Sequence, residues 1–587
     1  MMPTFSFRVA CVLLYLLSFS LKAQSSLSAS QAYEYLQGER KRADAVIGTG
    51  TNPPTDSLHK AEQILKDALT YYAKPDVQAL AKNDRPLFFR KYDILFDLSA
   101  IQCQLNQLDQ AAQSLQEPLK SEFASAYAGY IEKEAVFTPV RQHALIKPLL
   151  KQLNAATLVF NSKALATPYK PNLSQAEKVA GLSKLWSEAK YNFAHFDKIP
   201  DVDWDSVYLA FLPKVQATSS NVAYYRLLQQ FYAQLHDGHT DVWASNGPLA
   251  DSTSFRPPLV TQLIEGRVFV RQVRHDSLLR SGVVPGLEIL KIDGMPVIDF
   301  ANQYVRPYKS GSTPQNVDVQ TYIYGLLRGP KDRPVRLTLK DASGKTTERV
   351  LPRSGYSALK PLPSFNLTIL PGNVAYVQLF EFETDQAFKR FTAAFDSIAA
   401  TNGLILDVRQ NGGGDSGNGW NILGCLTDKS FPTGSYSSRK YSPLRRARGE
   451  NVVYESVGSG QWSANGKKLY TKPVVVLTSG QTFSAAEDFC VAFDAMNRGK
   501  IIGEPTGGST GQPLSFSLPG GIMARVCTKR DAYPDGTDWI GKGIQPDIVV
   551  KQTAADFQAG RDTVLEAALT ELGYKETAIK EKKKKTK

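Results

Sequence analysis

The sequence has few cysteines and lacks the usual metal- and phosphate-binding patterns. Its 587 residues include five cysteines, at Cys11, Cys103, Cys425, Cys490 and Cys527, without metal-ligand spacing. A chain of this length needs no disulfide staples, so we interpret those after the N-terminal segment as mostly buried single thiols. There is no His-Glu-x-x-His, no Cys-x-x-Cys and no complete Gly-x-x-x-x-Gly-Lys-Ser/Thr loop. The sequence therefore predicts no metal and no cofactor.

Long apolar runs are also missing, except near the N-terminus. Arg8 precedes an apolar run from Val9 to Leu21, and Ala23 follows as a small residue suited to cleavage. This pattern is typical of a secretory signal peptide, here residues 1–23, and is too short to span a bilayer. No later segment has 18 uninterrupted apolar residues. We therefore expect an exported protein, periplasmic or extracellular, with no transmembrane segment in the mature chain.

The net charge of +13 does not point to nucleic acid. Part of it belongs to a lysine-rich tail within residues 575–587, which we expect to be solvated and disordered. No interleaving of aromatic and basic residues accompanies the tail, and export argues against a nucleic-acid partner.

Periodicity divides the rest of the chain into four regions. Apolar residues recur at spacings of three and four in residues 24–165 and again in 175–250, which predicts two helical regions. A polar stretch with two prolines, 164–174, links them. Residues 256–350 contain short strand-like runs between glycine-rich turns, and in residues 365–555 predicted strands alternate with helices. The alternation predicts an α/β core with largely parallel strands.

The strand-rich region is similar to a PDZ domain at residues 281–297 and 327–339. PDZ domains bind extended peptides, often C-termini, along a sheet edge. Arg271 and Arg274 are candidates to attract a free carboxylate there. A small β-module that only packs is the alternative.

Two loops in the core carry residues suited to chemistry. The run from Asp407 to Gly414 places three glycines after a buried strand, where free backbone N–H groups can hold an oxyanion. The run from Thr478 to Glu487 follows another buried strand and leads into a helix at Ser484. A serine there lies beside the positive end of a helix dipole. Ser484 and Glu487 also fit an ordinary capping box.

Taken together, these loops resemble the tail-specific (carboxyl-terminal processing) serine peptidases of family S41. Members carry an Asp-x-Arg-x-Asn-x-Gly-Gly-like loop, then a nucleophile in Ser-Ala-x-Glu. The runs 503–506 and 543–547 match two further motifs in order, and the resemblance covers residues 175–552. It implies a crotonase-like (ClpP/crotonase) catalytic core and an acyl-enzyme on Ser484. It also implies an oxyanion hole from the N–H of Ala485 and that of Gly412 or Gly413.

The general base departs from the commonest family pattern. Ser509 occupies the position of the usual lysine, and none of the six histidines follows residue 275. A second, tricorn-like branch uses a histidine ahead of the core in an Asp-Gly-His-Thr run, which here makes His239 the base. His236 is the nearby alternative, and Lys500 and Lys542 are the lysine alternatives.

The branch also uses an acid late in the core, and Asp538 is the nearest candidate. The function predicted is hydrolysis of exported peptides or unfolded proteins by a serine peptidase, as a monomer or an oligomer. A non-catalytic ligand- or peptide-binding protein on the same fold is the alternative. An acyl-CoA enzyme conflicts with export and with the PDZ-like region.

Overall fold

The computed structural model describes residues 27–48, 53–82, 84–244, 246–355, 359–509 and 511–574. The chain divides into two compact units after Ser162. The predicted signal peptide, 1–23, and the predicted basic tail, 575–587, lie outside the described residues. Within the described ranges, no helix combines the length and the apolar character that crossing a bilayer requires.

The first unit is helical, as its periodicity predicts. Its α-helices are Ala29–Ile47, Thr55–Tyr72, Pro75–Ala81, Arg85–Gln104, Leu108–Gln116, Ala124–Lys133 and Lys147–Asn161. The helix Thr55–Tyr72 buries Leu58, Ala61, Leu65 and Ala68, one face at helical spacing. Between Arg85–Gln104 and Leu108–Gln116 the helical run is interrupted at Asn106, which takes a positive φ of 58°. Asparagine tolerates that conformation better than most residues.

The second unit begins with three helices packed around an aromatic core. They are Gln175–Asn192, Trp204–Gln216 and Asn221–Ala233. Trp204 stacks on Phe231 with ring centroids 4.4 Å apart. After the third helix the chain turns and enters strand β1, Asp241–Ala244.

The strand-rich region forms a separate antiparallel sheet. Its strands are β2 Leu259–Ile264, β3 Arg267–Val273, β4 Glu288–Ile292, β5 Met295–Pro296, β6 Val335–Lys340 and β7 Thr346–Leu351. The order is β2-β3-β4-β6-β7, with β5 on β4. The accompanying helices are Asp276–Arg280, Val297–Tyr304 and Pro314–Asp318, followed by a π-helix, Val319–Gly325. We call residues 259–351 the β-module.

The remaining elements build the α/β core. Its strands are β8 Phe365–Leu370, β9 Val374–Leu379, β10 Gly403–Asp407, β11 Phe431–Pro432, β12 Ser435–Lys440, β13 Val453–Val457, β14 Gln461–Trp462, β15 Val474–Thr478, β16 Gly499–Gly503, β17 Leu514–Leu518, β18 Ile522–Val526, β19 Lys529–Ala532 and β20 Ile548–Val549. Its α-helices are Gln386–Ala393, Phe395–Ala399, Ser416–Leu423, Pro443–Ala447, Ala485–Ala495, Ala554–Gln558 and Thr563–Glu571. A short helix in the second unit, Pro248–Thr253, precedes the β-module.

The central sheet confirms the predicted mixed α/β core with largely parallel strands. Its order is β20-β16-β15-β10-β9-β8, and only the β8–β9 pair is antiparallel. Every residue of β10 and β15 is buried, which explains their continuous apolar sequences. Because these two strands are parallel neighbours, the loops at their carboxyl ends meet at one edge of the sheet.

Candidate active site

Ser484 lies on a strained turn between β15 and the helix Ala485–Ala495. Its φ of 58° and ψ of −125° are unfavourable for a residue with a side chain. The Ser484 Oγ makes no helix-cap hydrogen bond. Its partner is His239 Nε2, at 3.1 Å. The turn therefore presents the hydroxyl to an imidazole rather than to its own helix.

Glu487 ties this turn to the loop that follows β16. Its buried carboxylate accepts hydrogen bonds from the Ser484 N–H (3.0 Å), the Thr506 hydroxyl (2.6 Å), the Gly508 N–H (2.7 Å) and the Ser509 N–H (3.3 Å). Burial raises the pKa of Glu487 to about 8, and these hydrogen bonds oppose that rise. The capping pattern read from the sequence thus also joins two loops of the site.

His239 reaches the serine from the helical region, 245 residues earlier in the chain. The helix Asn221–Ala233 ends before the turn, and His236 is exposed with a positive φ of 49°. Gly238 is required for close approach, since an added Cβ would lie 2.7 Å from Asn316 Oδ1 and 2.8 Å from the Phe483 ring. The His239 ring stacks on Phe483, with centroids 4.6 Å apart and planes inclined by 12°.

The second ring nitrogen of His239 is connected to the Asp237 carboxylate by hydrogen bonds through the Ser509 hydroxyl. Nδ1 lies 3.0 Å from Ser509 Oγ, which donates to Asp237 Oδ1 at 3.0 Å. Because the hydroxyl has one proton and gives it to the carboxylate, it accepts from Nδ1–H. This leaves Nε2 unprotonated and able to accept from Ser484. The chain Ser484–His239–Ser509–Asp237 therefore sets the tautomer that proton abstraction requires.

Asp237 is held by several donors besides Ser509. Its oxygens also accept from the His239 N–H (3.1 Å), the Thr240 hydroxyl (2.7 Å) and the Ser312 hydroxyl (3.2 Å). The residue is 2% exposed. Four donors on a buried carboxylate stabilise its charged form.

The structure does not bring Asp538 to this site, which corrects the sequence-based assignment. Its side chain is half exposed and pairs with Lys198, and its other oxygen accepts the Ile540 N–H at 2.9 Å. The lysine alternatives are likewise placed elsewhere: Lys500 pairs with Asp547 at 3.0 Å, and Lys542 is exposed. Asp237 was not singled out from the sequence, because the resemblance placed the supporting acid late in the core, whereas Asp237 precedes His239 by two residues.

Burial favours the uncharged form of the His239 imidazole. His239 is 3% exposed, and desolvation lowers its pKa to about 3 against the attraction of Asp237. Arg525 and Lys529 add to the depression. The ring is therefore neutral at physiological pH, as a general base must be.

The glycine loop after β10 lies against the nucleophile turn. The Gly413 N–H donates to Asn411 Oδ1 at 2.9 Å, so it is engaged. Among the described residues, no acceptor is found for the N–H of Gly412 or of Ala485. Of the two glycines proposed for an oxyanion hole, Gly412 is therefore the one with an available donor. The backbone at Gly414 pairs with Phe382, which fixes the loop.

Gly413 offers a direct test of this packing. An added Cβ would lie 2.7 Å from Ser484 Cβ and 2.8 Å from the Phe483 carbonyl, at a φ of 105°. We expect Gly413→Ala to displace the serine and to lower kcat/KM roughly 10²-fold. Gly458→Ala is the matched control, because the added methyl meets nothing within 4 Å. Equal activity of Gly413→Ala and Gly458→Ala would contradict this placement.

The serine opens into a cavity of about 800 Å³. His239, Gly412 and Ser484 line it together with Trp420, Tyr324, Arg525, Lys529 and Asp488. A cleft of this volume can hold an organic substrate, and many of its lining side chains are polar or charged.

The β-module contacts both catalytic loops. Arg271 Nη1 donates to Gln481 Oε1 at 2.9 Å, in the nucleophile loop. Gln272 Nε2 donates to Gln410 Oε1 at 2.9 Å, in the glycine loop. Arg274 donates to the Lys360 carbonyl at 2.9 Å. Both arginines proposed as carboxylate receptors are thus engaged within the protein.

One group of side chains beside the site has metal-ligand spacing. The ligand atoms of His195, Asp237 and Cys527 lie within 4.8 Å of one another, and all three residues are buried. The Asp237 oxygens already accept four donors, and Cys527 Sγ lies 3.5 Å from His195 Nε2. These contacts describe a hydrogen-bonded cluster, and the described cysteines are single buried thiols, as predicted.

Comparison with known proteins adds an independent observation. Residues 373–550 match the model of peptidase family S41. The chain is 27% identical over 249 residues to the carboxyl-terminal-processing protease of Synechocystis sp., which covers 41% of this chain and 54% of that protein. It is 26% identical over 294 residues to the carboxy-terminal-processing protease of Bartonella bacilliformis, covering 49% and 58%. The chain thus spans little more than half the length of these relatives.

Among solved structures, mature CPAF complexed with lactacystin aligns with a TM-score of 0.51 at 15% identity. The alignment covers 66% of this chain and 95% of that one. At this identity the likeness concerns the fold alone. The matched segment, 373–550, contains β9, β10, β15 and the loops that carry Gly412 and Ser484. The similarity to peptidase family S41 therefore lies in residues 373–550 of this chain.

Proposed function

We propose that this protein is an exported serine peptidase that cleaves peptide bonds through an acyl-enzyme on Ser484. The observation that carries the proposal is the 3.1 Å contact between Ser484 Oγ and His239 Nε2. This distance is within reach for proton transfer, and the base is oriented by a third group. The crotonase-like character of the core and the tricorn-like branch are part of the proposal.

In the first step His239 Nε2 takes the Ser484 proton as Oγ attacks the substrate carbonyl carbon. The carbonyl oxygen becomes an oxyanion, which the N–H groups of Gly412 and Ala485 hold. The tetrahedral intermediate then collapses, the C–N bond breaks, and Nε2–H gives its proton to the leaving amine. Water attacks the acyl-enzyme by the same route and restores the Ser484 hydroxyl.

The Ser509 hydroxyl transfers no proton. It connects the His239 ring to the Asp237 carboxylate by two hydrogen bonds. When the imidazole becomes cationic, Nδ1–H donates to Ser509, which donates to the Asp237 carboxylate. The burial that keeps the ring neutral at rest makes this support necessary, because an imidazolium at this depth is poorly solvated.

Replacing Ser509 with alanine tests the relay. We expect Ser509→Ala to lower kcat roughly 10²-fold with little change in KM, since Ser509 is fully buried and does not line the cavity. Ser509→Thr keeps the hydroxyl and should retain more activity than Ser509→Ala. If Ser509→Ala left kcat unchanged, the hydrogen-bond relay through Ser509 would have no part in catalysis.

A fluorophosphonate probe separates the peptidase from a non-catalytic binding protein. An activated serine is phosphonylated stoichiometrically, whereas an ordinary serine hydroxyl is not. We expect labelling of the native protein at Ser484, located by peptide mass spectrometry, and none after heat denaturation. Absence of labelling in folded protein, together with absence of peptide hydrolysis, would overturn the proposal.

The β-module is proposed to be PDZ-like and to deliver extended peptides. Its β2 is an edge strand, and the π-helix Val319–Gly325 lies beside it, held by a hydrogen bond from Thr261 to the Tyr322 carbonyl. A strand edge next to a helix allows backbone pairing with a peptide. Export rests on the signal-peptide pattern in residues 1–23. Peptides or unfolded proteins outside the cytoplasm are the proposed substrates.

A further inference from the structure

A second cavity, of about 360 Å³, is lined by an excess of basic side chains. It lies between the helix Asn221–Ala233 and the β-module and contains none of the proposed catalytic residues. Its basic residues come from separate segments: Arg226, Lys309, Arg328, Arg333 and Arg353. Asp293 is the only carboxylate among the lining residues. Asp293 Oδ1 accepts the Arg336 backbone N–H at 2.9 Å.

The hydrogen-bond acceptors of Arg226 and Arg353 within the protein are uncharged. Arg226 donates to Gln229 Oε1 at 3.2 Å and lies over the Tyr308 ring, 4.8 Å from its centroid. Arg353 is 5% exposed and donates to the carbonyls of Leu327 and Arg333. Within the described part of the chain, no carboxylate forms an ion pair with Arg226, Lys309 or Arg353. Buried cations without a counter-charge are costly, and an anion would relieve that cost.

Electrostatics at Lys309 support the same conclusion. Burial lowers its pKa to about 7, and Arg328 and Arg226 lower it further, while Asp241 opposes them. Burial also lowers the pKa of Arg226 and of Arg353. Desolvation is the main cause of each shift, and the carboxylates of Asp241 and Asp293 oppose the shifts of Lys309 and Arg353 only in part.

Another basic pocket provides an internal comparison. It is lined by Lys190, Arg439, Lys440, Arg445 and Arg446. There, however, Lys190 pairs with Asp205 at 2.6 Å, Lys440 with Glu455 at 3.5 Å and Arg445 with Glu450 at 3.6 Å. Three of its five cations are paired with carboxylates, and we call it the neutralised pocket; basic residues alone therefore do not distinguish the cavity at Lys309.

We propose that the cavity lined by Arg226, Lys309 and Arg353 binds a tetrahedral oxyanion of the phosphate class. Guanidinium forks match the oxygens of such an anion, and a dianion offsets more of the excess charge than a single carboxylate does. The site adjoins the catalytic relay: Ser310, next to Lys309, accepts the Asp237 backbone N–H at 3.0 Å. The proposal does not depend on the peptidase activity, because binding is measured directly.

Sulfate is the probe, since it is a tetrahedral dianion that does not titrate near neutral pH. Sodium sulfate is titrated calorimetrically into the full chain at pH 7.5 in two buffers of different ionisation enthalpy, with chloride matching the ionic strength. We expect saturable binding to one site per chain with proton uptake, because a bound anion favours protonated Lys309. Heats equal to those of chloride would overturn the proposal.

Single substitutions test whether sulfate binds in this cavity. Arg226→Gln and Lys309→Gln should each weaken sulfate binding about tenfold or more, and Lys309→Gln should abolish proton uptake. Removing one charge from a repelling cluster should leave the sulfate-free melting temperature equal or higher, so both variants should fold. Arg445→Gln, in the neutralised pocket, should bind as the unmodified chain does. The assignment would be refuted if Lys309→Gln left both the sulfate affinity and the proton uptake unchanged. It would also be refuted if Arg445→Gln weakened sulfate binding as much as Lys309→Gln does.

Discussion

Ser484→Ala is expected to lower kcat/KM for peptide hydrolysis by roughly 10⁴- to 10⁶-fold while the protein stays folded. The variant removes the only atom that becomes bonded to the substrate acyl group. It preserves the Ser484 backbone N–H, which Glu487 accepts at 3.0 Å, so the turn keeps its anchor. Alanine can adopt the positive φ only with strain similar to that of serine.

The measurement is hydrolysis of a fluorogenic peptide by purified protein, with circular dichroism and thermal melting as the test of folding. Ser479→Ala is a matched control in the same loop, because the Ser479 hydroxyl donates to the Arg409 carbonyl at 2.7 Å and not to the imidazole. Ser479→Ala should retain fluorophosphonate labelling, whereas Ser484→Ala should lose it. Undiminished turnover in Ser484→Ala would remove the proposed nucleophile.

His239→Ala is the second change with a large expected effect, roughly 10³- to 10⁶-fold in kcat. Among the described residues, His239 Nε2 is the side-chain partner recorded for Ser484 Oγ, so its loss removes the proposed proton acceptor. The exposed neighbour His236 is the natural control, since it lies outside the relay. His236→Ala should retain most activity, because its side chain is exposed. Reversal of this order would make His236 the base.

The pH dependence follows from the direction of the His239 shift. The active form is the neutral imidazole, and burial lowers its pKa to about 3. The acidic limb of kcat/KM should therefore lie well below the ordinary histidine pKa of about 6.5. This revises the limb near neutrality that an unperturbed imidazole predicts. A limb at pH 9 or above would instead indicate a lysine base.

The same shift affects folding stability. In the unfolded chain a histidine accepts a proton near pH 6.5, whereas folded His239 does not until far lower pH. The unfolded state thus binds more protons between these values, and stability falls as pH decreases below 6.5. Rates at low pH therefore require a parallel melting curve, and His239→Gln should reduce the slope of stability against pH.

Local sequence determined the elements of this protein and the two loops that carry Ser484 and the glycines. Continuous apolar runs predict β10 and β15, because a strand buried on both faces needs no alternation of apolar and polar residues. Each loop motif alone also fits a tight turn or a capping box, so their combination and order in the family resemblance indicated a functional site. The Ser-His pairing was expected only through the family resemblance.

Tertiary structure alone decided which groups complete the site. The Asp237–Ser509 contact joins residues 272 positions apart, and no local pattern encodes such a distance. The fold also distinguishes the two glycines, because the Gly413 N–H is bonded to the Asn411 side chain. It places Asp538 beside Lys198, away from the site. Burial of His239, which sets its charge, depends on Phe483 and the loops packed around it. Desolvation is a property of the surrounding atoms, so it follows only from the folded chain.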